Sequence, residues 1–117
     1  MMLLQWNTYS YYIRPGKTDM RKKAHTLSML VESEMEMNPF EKSVYLFCSG
    51  TRRILKVIVW DGNGFWEMTK RLESKGTFAW PSSREEALSV SLTEIRLMLK
   101  GGDPWRSLPV ENPQKVS

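Results

Sequence analysis

Asp61-Gly62-Asn63-Gly64 is the strongest turn signal in the chain, and it lies between two runs of strand-forming residues. Asp-Gly and Asn-Gly accept the positive φ angles that tight hairpins require. Before the turn, Ile54 to Trp60 is apolar except for Lys56 and rich in β-branched residues, which reads as a central strand. After it, Phe65 to Leu72 reads as the returning strand. A turn that pairs Trp60 with Phe65 puts Lys56 opposite Thr69, with Lys70 and Arg71 on alternate faces. Upstream, Ser43 to Cys48 places Val44, Leu46 and Cys48 on one face and Tyr45 and Phe47 on the other. Ser49-Gly50-Thr51-Arg52-Arg53 between them reads as a basic turn. Two consecutive hairpins predict an antiparallel meander.

The flanks predict helices. Tyr9 to Arg14 is aromatic and suits a short first strand, broken by Pro15-Gly16. Thr18 or Asp19 would then cap a helix, because either side chain can accept from the free N–H groups of a first turn. Met20, Ala24, Leu27, Val31 and Met35 fall at helical spacing, Leu30 widens the stripe, and Asn38-Pro39 would end it. Residues 74 to 90 read as loop, with a possible short strand at Thr77 to Trp80. Ser91-Leu92-Thr93-Glu94 is a capping-box pattern that opens a second helix, which Gly101-Gly102 stops. The expected order is β-α-β-β-β-loop-α: an α+β domain over residues 1–103, with a small antiparallel meander packed against two helices. Residues 104–117, with three prolines, read as a tail.

Composition narrows the function. At 117 residues, 41% hydrophobic and 26% charged, the chain suits one packed domain. No apolar run approaches the ~20 residues of a membrane span. The start, Met1 to Asn7, has neither the basic region nor the apolar stretch of a secretory signal, so a cytoplasmic location is expected. With one cysteine, Cys48, and one histidine, His25, metal-ligand spacing is not visible and neither metal nor cofactor is expected. Counting leaves a Cys48–His25 nucleophile pair formally open, but Cys48 in an apolar strand reads as a small buried hydrophobe. Asp61 is accounted for by its turn and Asp19 by its cap, so a carboxylate set for metal-assisted strand cutting is not seen. The chain is not expected to be an enzyme or to take a small-molecule substrate.

Net charge is +4, a mild excess whose distribution is more informative than its size. Residues 14 to 23 carry Arg14, Lys17, Arg21, Lys22 and Lys23 against Asp19 alone. Residues 32 to 41 reverse the sign with Glu32, Glu34, Glu36 and Glu41. Arg52, Arg53 and Lys56 form a second basic zone, and Lys70, Arg71 and Lys75 a third. Three cations in succession at a predicted helix N-terminus oppose the helix dipole and hint at an external anion, whereas a plainer reading pairs Arg21 with Glu67 or Asp61. Arg52 and Arg53 can run along phosphates or simply be solvated. Of the five tryptophans, Trp60, Trp66 and Trp80 are expected in the core, and Trp6 and Trp105 at an exposed contact.

Three segments in order carry a resemblance. They are Thr18-Asp19-Met20-Arg21-Lys22, then Lys56 to Trp66 through Trp60-Asp61-Gly62-Asn63-Gly64, then Lys70-Arg71-Leu72-Glu73 leading to Gly76-Thr77-Phe78-Ala79-Trp80-Pro81. Together, over about residues 10 to 103, they resemble the TnpB-type accessory protein of the insertion-sequence family numbered sixty-six, which is distinct from the RNA-guided nuclease of the same name. Lys23 stands where the family often has glycine, the turn at Gly50 to Ile54 is less charged than usual, and Lys100 stands where an acid is common. The resemblance implies a non-catalytic role in bacterial transposition beside a separate transposase. Two partners follow. One is DNA at the element's ends, contacted by Arg14, Lys17, Arg21, Lys22, Lys23, Arg52, Arg53, Lys56, Lys70 and Arg71. The other is the transposase, on which the protein would act as an adaptor without touching DNA; the segregated acids and outlying tryptophans point that way.

Overall fold

The computed structural model describes residues 5–82 and 89–104. Five strands form one sheet in the order β4-β3-β2-β1-β5: β1 Ser10–Lys17, β2 Ser43–Cys48, β3 Ile54–Trp60, β4 Phe65–Arg71 and β5 Ser89–Val90. Helix α1 spans Ala24–Ser33 and α2 spans Leu92–Leu99. The meander β2-β3-β4 is antiparallel and in the expected register, with Trp60 opposite Phe65 and Lys56 opposite Thr69.

The sheet as a whole is mixed, which corrects the expectation of a purely antiparallel one. β1 lies parallel to β2, and β5 lies antiparallel to β1. Parallel neighbours need a long crossover, and residues 18–42, which contain α1, supply it. The layering follows from period-two alternation. Tyr11, Ile13, Val44, Leu46, Cys48, Leu55 and Val59 pack on one face with Phe78, Trp80, Val90 and the α2 residues Ile95 and Met98. Tyr45, Phe47 and Ile58 pack on the other with Leu27, Val31 and Met35. The two helices therefore cover opposite faces, and all of β2 is buried. Each fully buried large apolar side chain contributes about 1.5–3 kcal/mol, so this central strand anchors both layers.

Three local readings are also corrected. Pro15-Gly16 does not end β1; the strand continues to Lys17 with a shift of register between Ile13 and Lys17, and Gly16, at φ +80°, absorbs the irregularity. The first helix begins at Ala24, not beside Thr18 or Asp19. Asp19 instead closes its own turn, accepting the Arg21 backbone N–H at 2.9 Å. The first N–H of α1 is satisfied from far away in sequence, by Glu67 of β4 at 2.9 Å. The helix stops at Ser33, where Glu36 adopts a left-handed conformation at φ 57° and Met37 N–H returns to the Val31 carbonyl at 3.1 Å. Thr77 to Trp80 forms no strand. Phe78 and Trp80 are buried, but this segment is tied by single bonds, Phe78 N–H to the Arg52 carbonyl at 2.7 Å and Trp80 Nε1–H to the Arg14 carbonyl at 3.0 Å. The strand of this region is β5.

The capping box at Ser91 and Glu94 is present, with both reciprocal bonds made, and Gly101 closes α2 at φ +101°. The tail expected from residue 104 lies, beyond Pro104, outside the described residues, as does Trp105. No helix among the described residues is long and apolar enough to cross a membrane.

Candidate nucleic-acid interface

Strand direction sorts the charges. β1 and β2 end, β3 begins and β4 ends at the same end of the sheet. That end therefore gathers Lys17, the Ser49–Arg53 turn, and Arg71 with the loop that follows it. The carboxyl end of α2 arrives there too, since Lys70 Nζ donates to the Leu99 carbonyl at 3.2 Å. A cleft of about 580 Å³ opens between Lys70 to Lys75 and Leu99 to Gly101 and carries Lys70, Arg71, Lys75 and Lys100 against one acid, Glu73. Residues 21–23 join this end from the α1 face: Lys56 Nζ donates to the Lys22 carbonyl at 2.8 Å, and Lys56 lies opposite Thr69, two residues before Arg71. Cations from five separate stretches thus form a belt around one pole.

The ten cations expected to contact DNA do different work. Lys56 is 5% exposed, with its ammonium 3.2 Å from Glu67 and bonded to the Lys22 carbonyl, so it lies in the interior and not in an exposed basic zone. Arg53 is half-buried and donates to the carbonyls of Leu72, Ser74 and Gly76 at 2.7, 2.9 and 2.6 Å, which fastens the loop after β4 to the β2–β3 turn. Arg14 pairs with Glu34 and donates to the Lys17 carbonyl and to Thr18 Oγ1 at 2.7 and 2.8 Å. Arg21 pairs with Asp19 at 2.7 Å rather than with Glu67 or Asp61. This guanidinium holds the Asp19 carboxyl well below the usual carboxylate range, and the carboxylate in turn raises Arg21. Lys70 is spent in part on Leu99 and on the Phe78 ring, 5.9 Å from its centroid.

Lys17, Lys22, Lys23, Arg52 and Arg71 remain, and no carboxylate partners them among the described residues. Arg52 stands at the tip of the basic turn at φ 62°, a left-handed conformation uncommon for a residue with a side chain. Ser49 shapes that turn: its Oγ accepts the N–H groups of Arg53 and Ile54 at 3.2 and 3.1 Å. Lys75 and Lys100 belong to the belt as well. Lys75 was visible in the third basic zone, whereas Lys100 needed α2 to be placed before it could be counted.

The other sequence candidates separate. Cys48 faces the α2 side of the sheet while His25 is exposed on α1, on the opposite side, so the two do not meet. Burial pushes the Cys48 thiol up to about 11. Among the described residues no group of three His, Cys, Asp or Glu could hold a metal ion. Trp80 is in the core as expected, but Trp60 is half-buried and Trp66 is 39% exposed. Trp6, expected at an exposed contact, packs against the α2-side core.

Comparison with known proteins places the chain. Residues 9–108 match the family model described as IS66 Orf2 like protein. Two relatives from Sinorhizobium fredii, the uncharacterized proteins y4hO and y4jC, are each 34% identical to it. The first aligns over 90% of both chains, the second over 85% of this chain and 86% of its own. No solved structure matches. The chain belongs to the IS66 Orf2-like family of transposition accessory proteins.

Proposed function

We propose that this accessory protein binds duplex DNA through the belt of cations at one end of its sheet and leaves strand cutting to the transposase. The observation that carries the reading is the convergence of Lys17, Lys22, Lys23, Arg52, Arg71, Lys75 and Lys100 on one pole without carboxylate partners. Cations not tied up in ion pairs are available to phosphates, and their binding releases condensed counterions. The turn tip bearing Arg52 is short and Arg53 is committed internally, so the contact runs along the phosphate backbone and positions the protein on the duplex.

Fluorescence anisotropy tests this with labelled terminal-repeat DNA and a scrambled duplex over a salt series. Tight, salt-dependent binding with preference for the terminal repeat is the expected result. Binding no tighter than ~10⁻⁴ M at physiological salt, equal for both duplexes, is the non-specific behaviour of any basic protein and overturns it.

A second reading, docking on the transposase as an adaptor, is supported by the opposite end of the sheet, where the half-exposed Phe40 packs on Trp60 and Phe65. Co-purification with the transposase that survives charge reversal of Arg52 and Arg71 tests that reading separately.

A further inference from the structure

Three of the less exposed cations each fasten a stretch of backbone that carries a more exposed one. Arg14 donates to the Lys17 carbonyl at 2.7 Å while it pairs with Glu34. Lys56 donates to the Lys22 carbonyl at 2.8 Å while its ammonium lies 3.2 Å from Glu67. That carbonyl belongs to the peptide joining Lys22 to Lys23. Arg53 donates to the carbonyls of Ser74 and Gly76, the residues on either side of Lys75, at 2.9 and 2.6 Å. It also donates to the carbonyl of Leu72, which follows Arg71, at 2.7 Å. Lys17, Lys23, Arg71 and Lys75 are exposed.

Charged donors make stronger bonds to carbonyls than neutral ones do. Arg53 suits its place because a guanidinium spreads its donors over a planar fork. A lysine would keep the charge but carries its donors on one nitrogen, which does not span three carbonyls. Residues 18–23 and 72–77 lie outside the helices and strands, where gripping a ligand would otherwise require ordering backbone. Ordering a loop or side chain on binding subtracts from affinity, and fastening it beforehand removes that loss. Glu34 and Glu67 offset the charges of Arg14 and Lys56, so those two act through the backbone they hold rather than through their own field.

We propose that Arg14, Arg53 and Lys56 are positioning residues of the nucleic-acid interface. They do not touch phosphate; they fix the backbone that carries Lys17, Lys75 and the Lys22–Lys23 pair, so that those ammonium groups meet the duplex already placed. The proposal rests on the reading that the cationic belt binds DNA.

The test is anisotropy of full-chain variants with the labelled terminal-repeat duplex. Arg53→Lys keeps the charge and loses the fork, and should weaken binding by about threefold or more. Combined with Lys75→Ala it should lose less than the product of the two single losses, because one residue acts through the other. Combined with Lys23→Ala, on a stretch that Lys56 holds, it should lose the full product. Arg14→Lys should couple to Lys17→Ala in the same way, and the paired change Lys56→Met with Glu67→Gln to Lys23→Ala. Backbone NMR relaxation of the free Arg53→Lys protein should show residues 73–76 gaining motion while β2 stays as rigid as in the wild type. Wild-type affinity in Arg53→Lys would overturn the proposal, since charge alone would then suffice. A full product of losses with Lys75→Ala would overturn it too, by making Arg53 an independent contact. Failure of the wild-type chain to bind DNA removes the DNA reading and this proposal together, whereas either of the other failures removes this proposal alone.

Discussion

Glu67 holds Lys56 and the first turn of α1 at once: one carboxylate oxygen lies 3.2 Å from Lys56 Nζ and the other accepts the Ala24 N–H at 2.9 Å. The pair joins β3, β4 and α1 beneath the start of the helix. Removing Glu67 leaves a buried ammonium without its counter-charge, so Glu67→Ala is expected to cost about 3 kcal/mol in urea unfolding. Lys56→Met combined with Glu67→Gln should cost less than the two single changes added together, because they share one interaction. Strict additivity would show that the two side chains act independently.

Arg53 and Arg71 are neighbours in the basic zones but should behave oppositely. Arg53→Ala strands three carbonyls and is expected to lower stability by about 2–3 kcal/mol. Arg71→Ala removes an exposed side chain and should change stability by no more than about 0.5 kcal/mol. It should instead reduce the slope of log affinity for DNA against log salt by about 0.9, the contribution of one phosphate contact. Anisotropy and urea melts on the same two variants separate these roles.

Arg52 at φ 62° carries backbone strain that glycine would not. Arg52→Gly is expected to raise stability by up to about 1 kcal/mol while weakening DNA binding. A variant that is both more stable and unchanged in DNA affinity would remove Arg52 from the interface.

Cys48 provides a pH signature. Its thiol ionises near 9.0 when free and is pushed up to about 11 by burial. The unfolded chain therefore loses this proton first. The contribution to stability is complete below pH 9 and falls away as pH rises from about 9 to about 11, amounting to about 2–3 kcal/mol. Urea melts across that range should show the decline, and Cys48→Ala should remove the cysteine's share of it. A thiol reagent at pH 8 should label the native protein no faster than global unfolding allows.

Losing the capping box should be milder. Ser91 Oγ accepts the Glu94 N–H at 3.0 Å while Glu94 returns to the Ser91 N–H at 2.9 Å. Ser91→Ala is expected to cost about 1 kcal/mol, read as a lower midpoint with an unchanged urea slope.

What could be read directly from the chain was local. Asp61 to Gly64 set the β3–β4 register, because a hairpin turn fixes which residues face each other across a few positions. The same holds for the Ser91 cap and for Leu27 and Val31, since helical spacing alone puts those two side chains on one face. The helix start is not legible locally because Asp19 has a nearer donor in Arg21, and the group that satisfies Ala24 sits 43 residues away on Glu67. The role of Lys56 is hidden for a similar reason: a lysine in an apolar strand looks like an exposed cation until its counter-charge Glu67 is placed.

By itself, then, the sequence determined the hairpins, the helical faces, the cap of α2 and the family, because each depends on residues a few positions apart or on a motif read in order. Tertiary structure alone decided that β1 runs parallel to β2, since nothing local distinguishes a long crossover from a return on the other edge. It also decided which cations serve the fold. A charge acquires its role from the groups packed around it, and for Lys56, Arg53 and Arg14 those groups come from distant segments of the chain.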